Sequence, residues 1–158
     1  MQPLGEKQEE AGLILKLYEL RRDETLREAR RWFAVEFQPR SAQEITGLMR
    51  SGHPQSAHYR MVTTFWEMAA ALVTHGSIDQ KLFHAANTEH MAVFAKLEPF
   101  IEEVRAAFGL PGYLGELEKV ARSAPHAEEY FEKIRGLMKR WGESGARDKT
   151  GGGVAGGP

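Results

Sequence analysis

Residues 59–73, YRMVTTFWEMAAALV, decide the fold of this 158-residue chain. On a helical wheel at about 100° per residue, the apolar side chains of this stretch cover an arc of roughly 200°. A narrow polar strip containing Thr63, Thr64 and Glu67 fills the remainder. One neighbouring helix cannot cover so wide an apolar arc, so the stretch should contact at least two others. It therefore predicts the central helix of a bundle.

The segment before this stretch has the apolar periodicity of helices. A long first helix is expected from near Glu6 to about Phe37, because the proline that follows disfavours further helix. A capping box that begins at Ser41 predicts a short second helix. Ser56 and Gly76 are expected to bound the central helix as its N-cap and its C-terminal stop.

The segment after Gly76 carries an apolar stripe over residues 82–108 at spacings of three and four. Pro99 interrupts it, and a proline inside a helix costs about 3 kcal/mol because it removes a backbone hydrogen bond and clashes with the preceding turn. We expect a kinked helix at Pro99, or two helices placed end to end. Two more helices are predicted, over residues 113–122 and about 124–141.

These segments together predict the fold class and the domain limits. No stretch alternates with the period of two that marks a β-strand, and the length fits one domain. The predicted fold is all-α, an irregular bundle of five to seven helices. Residues 1–5 are expected to be a short leader and residues 6–142 the bundle. Residues 143–158, with six glycines and one valine, are expected to be a flexible Gly-rich tail.

Composition limits the classes of function open to the chain. Apolar residues make up 42% and charged residues 27%, and the net charge of -1 gives no general attraction to nucleic acid or anionic membranes. The absence of cysteine excludes disulfides, zinc–thiolate sites and a thiol nucleophile. The N-terminus has no apolar signal region, and no apolar run approaches the roughly 18 residues that span a bilayer. We therefore expect a cytoplasmic protein with neither a membrane nor a nucleic-acid partner.

Motifs that identify common enzyme and cofactor sites are missing. The sequence contains no glycine-rich phosphate loop, no HExxH, no GxSxG, and no Glu followed three residues later by His, as a di-iron bundle requires. We accordingly expect no cofactor, no metal and no catalytic residue that a motif would identify. Acid and base groups dispersed over several helices keep an enzyme as a third class of function.

Three polar residues occupy unusual positions and form the candidate ligand-binding or structural cluster: Arg22, Glu67 and His90. Arg22 lies on the apolar face of the first helix, where it extends its head into water, pairs with a carboxylate or anchors a ligand. Glu67 lies in the narrow polar strip, either solvated or paired with Arg22. His90 replaces an aliphatic residue in its stripe, which indicates a neutral core histidine or one that senses pH or a ligand.

An arginine-rich run lies at residues 21–31. Its five arginines could contact nucleic acid, but Asp23, Glu24 and Glu28 alternate with them and leave a net charge of only +2. The run is therefore weak support for a nucleic-acid interface.

Three phrases carry a likeness to known proteins: LILKLYELRRDETLREARRWF at residues 13–33, FWEMAAALVTHGSID at 65–79 and FAKLEPFIEEVR at 94–105. Together they resemble a group of small bacterial helical proteins of unknown function. The likeness covers about residues 13–107 and implies a bacterial, all-helical protein. It implies no activity, ligand or catalytic residue.

The function that the sequence favours is a non-enzymatic interaction or scaffold module that dimerises or docks on another protein. Its long amphipathic helices carry more apolar surface than a small bundle can bury. The alternative is a small-ligand-binding sensor with an interior pocket, gated by the kink at Pro99 and read by Arg22, Glu67 or His90. Convergence of these three side chains would favour the alternative.

Overall fold

The computed structural model describes residues 3–150 and places nine α-helices in that range. In chain order they are α1 (Leu4–Arg21), α2 (Glu24–Arg31), α3 (Ala42–Arg50), α4 (Pro54–Thr74), α5 (Gln80–Ala86), α6 (Glu89–Leu97), α7 (Ile101–Phe108), α8 (Gly115–Ser123) and α9 (Ala127–Thr150). A π-helical turn, Trp32–Glu36, extends α2, and a 3-10 turn, Glu98–Phe100, joins α6 to α7. The all-α prediction is confirmed, with more helices than the five to seven expected.

Helix α4 lies at the centre of the bundle. It contacts α2, α3, α5, α6 and α8, and both Tyr59 and Trp66 are buried within it. Thr63, from the polar strip, is buried as well, and its hydroxyl donates to the carbonyl oxygen of Tyr59 at 2.9 Å. Several helices therefore cover the apolar arc of residues 59–73, as its width predicts, except at Met68, which is 47% exposed.

The first helix is broken where the sequence predicts continuity from Glu6 to Phe37. Helix α1 ends at Arg21, and Asp23 caps α2 by accepting a hydrogen bond from the Leu26 N–H at 3.1 Å. An aspartate at this position satisfies a donor that begins a new helix, so it stabilises the break. Because of this break, α1 and α2 take separate paths over the core.

The π-helical turn after α2 is closed by a buried lysine. The Lys96 ammonium donates to the carbonyl oxygens of Phe33, Ala34 and Phe37, the last at 2.7 Å. Burial lowers the pKa of Lys96 to about 7. Three carbonyl acceptors match the three protons of an ammonium group, so they offset part of the cost of burying it.

Helix boundaries around α3 and α4 follow the predicted chemistry with two shifts. The Ser41 hydroxyl accepts from the Glu44 N–H at 3.2 Å, as the capping box requires, but the Glu44 carboxylate accepts from the Arg40 N–H at 2.9 Å and not from Ser41. His53 caps α4 in place of the expected Ser56. Because His53 precedes Pro54, the helix begins with proline at its first position, where a missing N–H costs nothing.

The stripe over residues 82–108 is divided twice. At Pro99 the 3-10 turn separates α6 from α7, so the expected interruption is present as helices placed end to end. A second break, not predicted, falls at Asn87, which is extended and buried. It starts α6 at Glu89 and directs that residue toward α1 and α2.

Helix α9 continues to Thr150, although composition predicts a flexible tail from residue 143. A Cβ atom on Gly142 would lie 3.0 Å from the Val35 carbonyl oxygen, and one on Gly145 would lie 3.0 Å from Val35 Cγ1. These glycines let α9 approach the π-helical turn closely. Their abundance in the sequence predicts flexibility, because composition does not show which residue lies opposite them. The rest of the predicted tail, residues 151–158, and residues 1–2 of the leader lie outside the described residues.

Two further features of the fold are the start of the first helix and the apolar length of the helices. Helix α1 already begins at Leu4, inside the expected leader of residues 1–5. None of the helices in residues 3–150 is long and apolar enough to cross a membrane.

Candidate functional site

A half-buried ion cluster is centred on Glu89, at the first turn of α6. Its carboxylate accepts from Arg30 Nε at 2.8 Å and Arg30 Nη2 at 2.6 Å, from Arg21 Nη2 at 3.0 Å and from Trp66 Nε1 at 3.3 Å. The Arg21 guanidinium lies 5.1 Å from the centre of the Trp66 ring and donates to Asn87 Oδ1 at 3.2 Å. One carboxylate therefore joins α1, α2 and α4 to α6.

The two helix breaks position this cluster. The end of α1 at Arg21 leaves a carbonyl oxygen without a helical partner, and Arg30 Nη1 donates to it at 3.3 Å. The break at Asn87 places Glu89 in the first turn of a helix, where the backbone N–H groups favour negative charge. The ion cluster thus depends on local backbone chemistry as well as on charge pairing.

The electrostatics of the cluster favour the charged forms. Burial alone would raise the pKa of Glu89, but the hydrogen bonds and charge of Arg30, with contributions from Arg21 and Trp66, hold that pKa below its usual value. The hydrogen bond to Glu89 in turn raises the pKa of Arg30. Two guanidinium groups face one carboxylate, so the cluster retains a surplus positive charge.

A cavity of about 440 Å³ opens beside the ion cluster, between α2, α6 and α9. Its polar end is formed by Arg27, Arg30, Arg31 and Glu89. The remaining wall is apolar and is built mainly from Phe33, Val93, Tyr130, Ile134, Met138 and Trp141. The cavity therefore has one cationic end and one hydrophobic side. We call it the α2–α9 cavity.

An arginine-lined groove of about 420 Å³ adjoins this cavity and shares Arg27 and Arg30 with it. Tyr18, Arg21 and Arg22 complete its lining, which includes no carboxylate. Within residues 3–150, the exposed side chain of Arg27 forms neither an ion pair nor a hydrogen bond. The groove thus presents positive charge that the protein itself does not neutralise.

The outer face of α1 is the second unusual surface. Apolar side chains exposed on this helix include Leu4, Leu15 and Tyr18, at 80%, 68% and 59% exposure. Leu17 packs into the core from a different side of the helix. Helix α1 therefore has one face on the bundle and another that leaves large apolar groups in solvent.

Of the residues predicted as a cluster, Arg22 and Glu67 are placed apart. The Glu67 carboxylate accepts from the backbone N–H groups of Glu116 at 3.1 Å and Leu117 at 2.8 Å, so it caps the start of α8. Arg22 lies just past the end of α1 and is exposed at the edge of the groove. The expected Arg22–Glu67 ion pair is not formed, because the break after Arg21 turns Arg22 outward.

His90 lies in a third environment. It is fully buried against Phe83 and Trp66, and its Nε2 lies 3.0 Å from Nδ1 of His84. Burial, followed by the charges of His84 and Arg21, lowers the pKa of His90 to about 3. Such a histidine is neutral around pH 7, which fits the interpretation as a core residue. Arg22, Glu67 and His90 do not converge.

The residues that do converge, Arg21, Arg30 and Glu89, were not predicted as a site. The wheel that places Arg22 on the apolar face assumes one unbroken helix, and after the break Arg21 occupies that position instead. A signal for Glu89 existed, since Asn87 and Thr88 are poor helix formers and a glutamate directly after them suits a first helical turn. No group of three or more His, Cys, Asp or Glu residues in the described part of the chain is arranged to hold a metal ion.

The sequence of this chain matches a known protein family. Residues 8–141 match the model of a protein family described as a domain of unknown function, DUF4760. No curated protein and no solved structure gives a significant match. The matched range includes the ion cluster and every residue named above as lining the α2–α9 cavity.

Proposed function

Since the chain belongs to the DUF4760 family of domains of unknown function, we propose from its own geometry that it is a non-enzymatic interaction module that self-associates through the outer face of α1. The observation that carries the proposal is the exposed apolar stripe on that helix. Large apolar groups left in solvent along one helix face favour association, because burying each of them contributes about 1.5–3 kcal/mol.

The stripe has the spacing of a helix-pairing surface. Its positions recur at intervals of four and three residues: Leu4, Gln8, Ala11, Leu15, Tyr18. At about 100° per residue the stripe lies roughly 120° around the helix from the face that packs on the core. Gly5 and Gly12 border it, and a Cβ atom on either would meet nothing within 4 Å. A second helix can therefore approach closely along this face.

The charge distribution along α1 favours a second copy of the same helix in antiparallel orientation. Residues 4–12 carry three glutamates and one lysine, whereas residues 13–22 carry one lysine, two arginines and one glutamate. The two halves are thus oppositely charged, at -2 and +2, and they stay opposite, at -1 and +1, when the buried Glu10 and the Arg21 paired with Glu89 are left out. An antiparallel pair related by a two-fold axis places each half beside its opposite, whereas a parallel pair places like charges together.

The length of α1 sets the expected strength of the contact. Its 18 residues span roughly 27 Å at 1.5 Å per residue, so one helix pair forms an interface at the small end of the range for specific complexes. We expect a reversible dimer with a dissociation constant in the micromolar range, not an obligate one.

Sedimentation velocity over a dilution series tests this proposal. The wild-type protein is expected to shift from dimer to monomer on dilution, and Leu15→Glu should weaken the dimer by about tenfold or more, because it places a charge in the stripe. Leu110→Glu is the matched control, since Leu110 is 53% exposed and lies outside α1. A wild-type protein that stays monomeric at every concentration, or equal effects of the two variants, would contradict the proposal.

A further inference from the structure

We propose that the α2–α9 cavity binds a small amphipathic anion, with its carboxylate or phosphate group at Arg27 and Arg30 and its apolar body along α9. This site is separate from the proposed dimer surface, because the stripe residues of α1 do not line the cavity. The inference therefore goes beyond self-association and stands independently of it.

The charges at the polar end are arranged for an anion. Arg30 is held in place by Glu89 and by the Arg21 carbonyl oxygen, so its position is fixed before any ligand arrives. Arg27 has no partner among the described residues, and its guanidinium keeps all five donors available. A carboxylate or phosphate suits such a group, because its oxygens accept paired guanidinium hydrogen bonds.

Glu89 is the one carboxylate that lines this cavity, and it does not cancel the positive charge. Its oxygens accept hydrogen bonds from Arg30, Arg21 and Trp66, so its negative charge is already compensated within the protein. Arg31 at the polar end pairs with Glu36 at 3.6 Å, whereas Arg27 beside it and Arg22 in the adjoining groove remain in excess. An anionic group is therefore favoured here over a neutral or a cationic one.

The rest of the cavity suits an apolar body. Six large side chains from the π-helical turn, α6 and α9 form its wall. One of them, Trp141 on α9, is 43% exposed. The volume of about 440 Å³ lies within the range for small-molecule sites, which combine a mainly apolar lining with a few polar groups. A head group at Arg27 leaves an aliphatic or aromatic tail directed toward Met138 and Trp141.

Isothermal titration calorimetry at pH 7.5 with decanoate tests the site. Decanoate is expected to bind, and decanol and decyltrimethylammonium to bind at least tenfold more weakly, because the arginines add attraction only for an anion. Decyl phosphate distinguishes the two head groups: tighter binding than decanoate assigns the site to a phosphate, weaker binding to a carboxylate. The proposal would be overturned if neither decanoate nor decyl phosphate bound. It would also be overturned if decanoate, decanol and decyltrimethylammonium bound equally well.

Variants locate the site. Arg27→Gln removes an exposed, unpartnered charge and should weaken decanoate binding about tenfold without loss of helix content, and Trp141→Ser should weaken it as well. Arg140→Gln is the matched control, since Arg140 is exposed on α9 and does not line the cavity. Equal affinities of the Arg27→Gln and Arg140→Gln proteins would overturn the assignment.

The same titration in a Leu15→Glu background separates this inference from the proposed function. Decanoate affinity is expected to be unchanged there, because the dimer surface is altered and the cavity is not. Loss of binding in that background would show that the probe binds to the face of α1, and would overturn the cavity site whatever the outcome for self-association.

Discussion

Glu89 makes more contacts between helices than any other charged residue described above. Its carboxylate holds Arg21 and Arg30, whose side chains are only 17% and 25% exposed. Removing one partner from such a cluster leaves the others buried without compensation, which costs more than the cluster itself contributes. Glu89 is therefore a structural residue in the free protein and positions Arg30 for the proposed anion.

Replacement of this carboxylate gives the prediction at the residue scale. Glu89→Gln keeps the shape of the side chain and removes its charge, and it should lower the free energy of unfolding by about 1–3 kcal/mol after allowance for partial exposure. Urea denaturation monitored by circular dichroism measures the change. The exposed Glu28 provides the control, and Glu28→Gln should remain within about 0.5 kcal/mol of wild type. Equal stabilities of the two variants would show that the cluster does not hold the helices together.

At the scale of elements, two helices owe their paths to single residues at their ends or faces. Asp23 separates α1 from α2, and Gly142 brings α9 against the π-helical turn. The close approach also places Lys149 within 3.3 Å of Glu36, which ties the end of α9 to the bundle. At Gly142, the absence of a side chain permits the close packing of α9 against the π-helical turn.

Two glycines of α9 allow that close approach to be measured. Alanine in place of glycine inside a helix is expected to gain about 1 kcal/mol from propensity at both sites. At Gly136 the new Cβ would meet only Arg140 Nη1 at 3.7 Å, so Gly136→Ala should stabilise the protein. At Gly142 it would lie 3.0 Å from the Val35 carbonyl oxygen, so Gly142→Ala should lose that gain or destabilise. Thermal unfolding of both variants measures the difference between the two sites. Equal stabilisation by Gly136→Ala and Gly142→Ala would rule out a tight contact at Gly142.

For the whole molecule, stability is expected to fall in mild acid. The pKa of His90 is about 3 in the folded chain and near 6.5 when the chain unfolds, so between these values only the unfolded state binds the proton. The contribution is thus complete above about pH 6.5 and decreases as the pH falls, by roughly 2 kcal/mol at pH 5. The pKa of Glu89 is also lowered, so its contribution is lost only at more acidic pH.

Denaturation between pH 7.5 and pH 4.5 measures this dependence. His90→Phe retains an aromatic side chain beside Phe83 and Trp66 but cannot be protonated, so its stability should vary less with pH than that of the wild-type protein. His84, whose own pKa is lowered by burial, contacts His90 and contributes in the same direction. Parallel pH profiles for the two proteins would contradict the assignment to His90.

The sequence alone determined the helical class and the central position of residues 59–73, because apolar periodicity and arc width are local properties that any packing must satisfy. It also located the interruption at Pro99 and the stop at Gly76, whose chemistry acts within a few residues. The ion cluster of Arg21, Arg30 and Glu89 could not be obtained in this way, and the helical wheel selects Arg22 in place of Arg21. A wheel assumes an unbroken helix, and a break at Asp23 rotates every residue before it relative to every residue after it.

Only the tertiary structure decided which charges meet. Glu89 joins Arg21 and Arg30 across 59 or more residues of sequence, and no local pattern specifies such a pairing. The same applies to the end of α9, where glycines that indicate flexibility in an isolated segment instead permit contact once Val35 lies opposite. Local chemistry fixes the helices and their caps, whereas the cavity, the surplus arginines and the exposed face of α1 exist only after the helices have packed.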